Sequence, residues 1–309
     1  MRRLITHDGR FHADEVLATA VLSALFPDAE VIRTRDPVLT GSQSPDDLIY
    51  DVGGVHDPVL GRFDHHQPGA PTRPDGSPYS AFGLVWSRFG QDYLARIGVE
   101  PGLIPDLQSV VDRSFVRGVD LLDNGTLDPA TLGPAAGLTL PMLIEDLNPA
   151  FDDPSPVREG AAFKAAVRLA SELLAQRVLS AEAALRAERE VRVAIGASWG
   201  TPILELARGA PFRRAITQTG ADHIRLVVHP RKTDWVVSTV SDPPGSYTTR
   251  LDLPEAWAGL EGEALRDVTG VEDAIFCHRA CFMAVARTRE GALRLADLAL
   301  QPDPAPEPM

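Results

Sequence analysis

The sequence predicts an α/β protein, a doubly wound and mainly parallel sheet domain followed by a smaller C-terminal α+β domain. Three observations carry this. β-type runs at residues 4–6, 31–34 and 48–52 alternate with helical periodicity, the order that builds a parallel sheet with crossover helices. A long stretch at 156–193, rich in Ala, Leu, Glu and Arg, has the propensity of a connecting helix. Beyond it strand character returns at 224–229, 235–240 and 247–253, and a helical repeat runs through 288–300.

Taken in order, the first strand leads through a polar loop into a helix in which Val16, Leu17, Ala20, Val21, Ala24 and Leu25 recur at helical spacing. The strand at 48–52 ends at Gly53-Gly54, where the chain must turn. Ligands of open α/β sheets gather beyond the carboxyl ends of the strands, and His7 and Asp51 lie at two such ends. Residues 68–78, PGAPTRPDGSP, are too dense in Pro and Gly for regular structure. Helices at 80–97 and 103–122 follow, the second ended by Asp123-Asn124-Gly125. A chain of 309 residues exceeds what one core usually serves, so two domains are expected, 1–195 and 196–309. The last residues, QPDPAPEPM, read as a Pro-rich polar tail.

Composition is that of a globular protein, with 44% hydrophobic and 24% charged residues. The net charge of -13 is uneven: residues 1–150 hold 11 basic and 21 acidic side chains, residues 200–309 hold 12 and 15. No basic run offers a face for extended duplex DNA, so either bound cations match the acids or nucleic acid is not the ligand, and both can hold for a short substrate. Two cysteines, Cys277 and Cys281, exclude a disulfide scaffold, and they read as packed thiols. The start has neither the apolar stretch of a secretory signal nor the lead of a transit peptide, and no stretch is long enough for a bilayer span. A cytoplasmic protein without a membrane segment is the expectation.

Five of the eight histidines fall within the first 66 residues. Four sit in two clusters with aspartates: His7, His12 and Asp14, then Asp64, His65 and His66. One histidine is more often a packed or surface residue, and clustering is what carries the signal. Three polar groups in succession after Phe63 would sit at a sheet end without partners unless a ligand satisfied them. A metal does so. Imidazole with carboxylate suits Mn²⁺ or another first-row ion, with Mg²⁺ or Co²⁺ as alternatives, and the lack of clustered cysteines argues against structural zinc. Asp14 also reads as a helix-start carboxylate and Asp123 as a turn residue.

The series THDGRFHADEVLA at 6–18, RTRDP at 33–37, DVGGV at 51–55, FDHHQ at 63–67 and DNG at 123–125 resembles the motifs of the DHH phosphoesterase superfamily, specifically its Myg branch. LPEAW at 253–257 and TREGAL at 288–293 extend the resemblance over nearly the whole chain. It implies an N-terminal α/β domain holding two metal ions and a smaller domain that closes over substrate. By this likeness His7, His12 and Asp51 hold one metal, and Asp14, His65, Asp123 and a bridging Asp51 hold the other. His66 faces the substrate phosphate, while Asp64 orients the histidine pair. Arg250 and His278 match positions implied to contact substrate. The chain departs from the branch at Ala284-Val285, where a Gly-Gly pair is usual, which puts the mode of substrate contact in question.

Two divalent ions at such a site share a hydroxide nucleophile and stabilise charge on phosphoryl oxygens. No G-x-x-x-x-G-K-[ST] loop occurs, so an NTP-driven motor is not indicated. The branch implies a 3′-to-5′ exonuclease on RNA or short oligonucleotides. Superfamily membership equally admits a dinucleotide phosphodiesterase or an inorganic pyrophosphatase, the latter disfavoured by having only Lys164 and Lys232. A non-catalytic binding protein stabilised by metal is the alternative of a different class. Substrate length and oligomeric state are not encoded in any motif.

Overall fold

The computed structural model describes residues 1–152, 155–242, 246 and 248–301. The Pro-rich tail at 302–309, Tyr247 and Gly245 lie outside the described residues. Two compact units are present, Met1–Glu182 and Ala183–Met309. The division falls inside one long helix, whereas the sequence reading sets the boundary near Gly196.

The first unit contains β1 (Arg3–Thr6), α1 (Ala13–Leu25), β2 (Glu30–Arg33), α2 (Pro37–Thr40), β3 (Asp47–Tyr50), β4 (His56–Asp57) and β5 (Arg62–Phe63). The strands form one sheet in the order β2-β1-β3-β5-β4. β1 pairs in parallel with β2 and β3, β3 with β5, and only β4 runs antiparallel. This is the mainly parallel sheet that the alternating pattern calls for. α1 buries every residue from Ala13 to Leu22, packed against α3 (Ala81–Arg96) and β1. That explains why its apolar periodicity is broad: a helix covered on several sides needs no polar face.

The expected helix at 103–122 is α4 (Ile104–Val111), a π-helical turn at Asp112–Val116 and α5 (Arg117–Asp123). α6 (Leu140–Glu145) follows, and α7 (Pro156–Ala197) is the long helix foreseen from its composition.

In the second unit β6 (Ile203–Glu205), α8 (Arg213–Gln218), β7 (Leu226–Pro230) and β8 (Trp235–Thr239) precede α9 (Gly262–Thr269), β9 (Ala274–Cys277), β10 (Met283–Ala286) and α10 (Arg289–Ala299). Its sheet, ordered β6-β7-β8-β10-β9, has one parallel pair and is otherwise antiparallel. The strand expected at 247–253 is not formed by its described residues. Thr249 makes a single bridge to Ser241, and Leu253 donates its N–H to the carbonyl of Cys281. Arg250 donates instead to the carbonyl of Val240, so the segment is bonded to two different parts of the chain and forms no continuous ladder. The strands that complete this sheet are β6, β9 and β10, all three absent from the sequence reading.

Candidate metal centre

Parallel strands end together, so the residues that follow β1, β3 and β5 meet at one edge. These are His7, Asp51 and the run Asp64-His65-His66. α1 starts over the same edge, and its first turn delivers His12, Asp14 and Glu15, while the end of α5 brings Asp123. His7, His12, Asp51, His65, His66 and Asp123 all line one cleft of about 830 Å³, together with Arg35.

Asp51 sits at the middle. Its Oδ2 is 3.1 Å from His7 Nε2 and its Oδ1 is 3.2 Å from His65 Nε2, so its two oxygens face different histidines. It adopts φ 56, a left-handed conformation that a non-glycine residue holds only under constraint from its surroundings. Gly53 and Gly54 follow at φ 99 and 70, and the Gly54 N–H reaches Asp64 Oδ2 at 2.5 Å. Asp64 is thereby fully occupied: its Oδ1 accepts from the His65 N–H at 2.7 Å and lies 2.8 Å from His66 Nδ1. The carboxylate ties the Gly-Gly turn to the histidine pair.

The sequence-chosen ligands fall into two neighbourhoods. Asp14, His65 and Asp123 present ligand atoms close enough to share an ion, and His65 Nε2 lies 3.5 Å from Asp123 and 3.8 Å from Asp14. His7 and His12 come together with Glu15, a residue not singled out from sequence, whose Oε1 is 3.1 Å from His7 Nε2. Glu15 also accepts the His12 N–H at 3.0 Å, as an acidic residue three places after a helix cap does. That reading hides its second role at the site. His66 is adjacent to Asp51 but 62% exposed, open to the cleft.

Acidic groups outnumber donors here. Both oxygens of Asp14 are buried without a hydrogen-bond donor. Burial, together with the neighbouring charges of Asp51, Asp123 and Glu15, pushes its carboxyl well above the usual range. Burial works against charge at Asp51 too, but hydrogen bonds from His65 and His7 outweigh it and pull the group down to about 2. At His7 burial is overcome by the bonds to Asp51 and Glu15, which lift it to about 10. A cation among these groups would satisfy the orphaned oxygens of Asp14 and screen Asp51 from Asp123. The donor set fits divalent metal.

Arg250 and His278 belong to the second unit. Arg250 is 11% exposed, donating from Nη1 to the carbonyls of Ala221 and Ile224 at 2.9 and 3.0 Å and from Nη2 to Asp222 at 3.1 Å. His278 is half-buried, and its Nδ1 accepts the Ala280 N–H at 3.1 Å, which leaves the ring hydrogen of the neutral form on Nε2. Ala284 and Val285 are buried in β10. Cys277 and Cys281 are free and buried, and burial pushes the Cys277 thiol up to about 12, the behaviour of a packed thiol.

A mainly parallel sheet whose strand ends converge His and Asp side chains on one cleft is the arrangement of a metal-dependent hydrolase. The family model for MYG1 exonucleases, described as "Uncharacterised protein family (UPF0160)", matches residues 3–300. The chain is 35% identical to human "MYG1 exonuclease", over 95% of this chain and 84% of that protein. To "MYG1 protein C694.04c" of Schizosaccharomyces pombe it is 33% identical, over 96% and 97%. The chain belongs to the MYG1 exonuclease family. A structural likeness to RecJ of Thermus thermophilus, solved in complex with Mn²⁺, covers 98% of this chain and 53% of that one, at TM-score 0.28 and 15% identity.

Proposed function

We propose that the chain is a two-metal phosphodiesterase that removes nucleotides from the 3′ end of RNA or short oligonucleotides. The observation that carries this is Asp51, one buried carboxylate whose two oxygens face His7 and His65, with the donorless Asp14 beside it. His7, His12 and Asp51 would hold one ion, and Asp14, His65, Asp123 and the shared Asp51 the other. Two ions so held supply Lewis acidity that lowers the pKa of water and offsets charge on phosphoryl oxygens. The histidine-rich set favours Mn²⁺ over Mg²⁺.

The remaining work falls to the chain's own groups. Asp64 fixes His65 and His66 through its carboxylate. At the mouth of this otherwise acidic cleft, where a phosphate would enter, exposed Arg35 supplies positive charge and exposed His66 a ring nitrogen. In the second unit His278 offers its Nε2 hydrogen to substrate. Arg250 has Nη1 committed to two backbone carbonyls and one Nη2 hydrogen to Asp222, so its part in substrate contact is through Nε and the second Nη2 hydrogen. Among the described residues no helix is long and apolar enough to cross a membrane, and two free thiols suit a reducing compartment such as the cytoplasm.

The deciding experiment incubates the purified protein with 3′- and 5′-labelled oligoribonucleotides, dinucleotides and pyrophosphate. Shortening from the 3′ end is expected, abolished by chelator and restored better by Mn²⁺ than by Mg²⁺. Undiminished activity in excess chelator would end the metal reading. Cleavage confined to pyrophosphate or dinucleotides would replace the substrate class.

A further inference from the structure

The geometry points to Asn124 as a positioning residue that fixes which nitrogen of His65 is presented to the metal cluster. The inference rests on the two-metal reading above. Asn124 closes α5, and its side-chain amide makes three contacts. Nδ2 lies 3.1 Å from the Tyr79 carbonyl and 2.9 Å from the Asp120 carbonyl. Oδ1 lies 3.3 Å from His65 Nδ1. Backbone carbonyls only accept, so the nitrogen of the amide must face them and its oxygen must face the imidazole. An amide oxygen is also only an acceptor. His65 Nδ1 therefore carries the hydrogen, and in the neutral ring the lone pair is left on Nε2.

That lone pair points to where the carboxylates gather. His65 Nε2 has Asp51 Oδ1 at 3.2 Å, Asp123 Oδ2 at 3.5 Å and Asp14 Oδ2 at 3.8 Å. When a cation lies among those carboxylates, the ring with its hydrogen on Nδ1 is the form that can ligate it, because its free lone pair on Nε2 is the one aimed at them. The opposite tautomer would point a hydrogen into the cluster and remove a ligand.

Asn124 is itself held from behind. Its partner Asp120 is completely buried, and that side chain accepts from Arg73 Nη2 at 2.6 Å and Ser80 Oγ at 2.8 Å. Arg73 in turn donates to Asp112 at 2.6 Å, in the π-helical turn that precedes α5. Such turns re-aim a helix. Here Asp112, which opens the turn, and Asp120 in α5 beyond it close on one guanidinium, which fixes the end of α5 and with it the amide that faces His65.

The test is Mn²⁺ binding, by calorimetry and by the free-ion electron paramagnetic resonance signal, in wild type, Asn124→Leu and Asn124→Asp. The leucine removes the acceptor. One of the two ions should then bind about 10- to 100-fold more weakly, the range for losing a group that orients a metal-ligating histidine. The aspartate keeps an oxygen against His65 Nδ1 while losing Nδ2, and should retain Mn²⁺ affinity within about threefold. Wild-type affinity in Asn124→Leu overturns the inference. So does an equal loss in both variants, because the amide would then act only through its bonds to Tyr79 and Asp120. Should the leucine variant fail to fold, the aspartate variant decides alone: affinity kept supports the assignment, affinity lost rejects it. Wild type that binds no Mn²⁺ would instead remove the two-metal reading itself.

Discussion

Two clusters of buried acids lie within the first unit, and they are balanced in opposite ways. Around Arg73, the carboxylates of Asp112 and Asp120 receive guanidinium hydrogens, and Ser80 adds its hydroxyl and its N–H to Asp120. Around Asp51, histidines share the carboxylates and Asp14 receives no donor. Buried acids alone therefore do not mark a metal site. The mark is a deficit of donors, since a charge the protein leaves unpaired in its interior requires something from outside. The first cluster is a strut, complete in itself, and the second is a receptor for cations.

The largest effect that separates them should come from Asp51→Asn. The amide keeps the shape but removes the charge that faces both His7 and His65, so under the proposed two-metal reading one ion should be lost. Activity should fall by about two orders of magnitude or more. The rise in melting temperature on adding Mn²⁺ should shrink while the metal-free fold persists. Asp64→Asn should be milder, within about 10- to 100-fold in activity, because Asp64 orients ligands rather than facing an ion. If Asp64→Asn proves the more damaging in folded protein, the two aspartates exchange roles.

Gly83→Ala strikes the strut instead. A Cβ on Gly83 would lie 2.5 Å from both carboxylate oxygens of Asp120, nearer than atoms pack. Asp120 cannot yield without breaking its bonds to Arg73 and Ser80. Destabilisation of about 1–3 kcal/mol or more is expected, read by urea denaturation of metal-free protein. Wild-type stability in this variant would show the Arg73 network to be slack.

The same distinction decides what was legible in the sequence. His7 and Asp51 at strand ends, and the Asp64-His65-His66 run after Phe63, were readable because polar residues there break a β pattern at the edge where ligands collect. Glu15 was not, since an acid at the third position of a helix already has an explanation as a cap. Arg73 was hidden in a Pro- and Gly-rich loop, where a lone arginine reads as solvated. Its acids are 39 and 47 residues away. Among the elements, β9 and β10 were missed for a local reason. Each has four residues, AIFC and MAVA, too short and too uniformly apolar to alternate, and the turn between them uses Cys281 at φ 52 where a glycine would have announced it. The strand expected at 247–253 took their place because Thr and Tyr raise β propensity without guaranteeing a partner.

The smallest expected effect tests whether a donor-matched carboxylate ignores metal altogether. Asp47 starts β3 opposite Arg3 of β1, and Arg3 Nε donates to its Oδ1 at 2.8 Å while Ser42 Oγ reaches its Oδ2 at 2.5 Å. The bond from Arg3, ahead of the opposing effect of burial, holds the Asp47 carboxyl below the usual range. A carboxylate with a depressed folded pKa binds fewer protons folded than unfolded, so its stabilisation is full above the unfolded value and is lost as pH falls through the folded one. The stability gap between wild type and Asp47→Asn should thus be constant at neutral pH and close on acidification below about pH 4. Arg3 is partly exposed, so solvent keeps the gap small. Adding Mn²⁺ at neutral pH should leave it unchanged, in contrast to Asp51→Asn, where the ion's contribution is itself what disappears. A gap that widens with Mn²⁺ would mean that the metal centre draws on the β1–β3 pairing for its geometry, and the separation between strut and receptor would not hold.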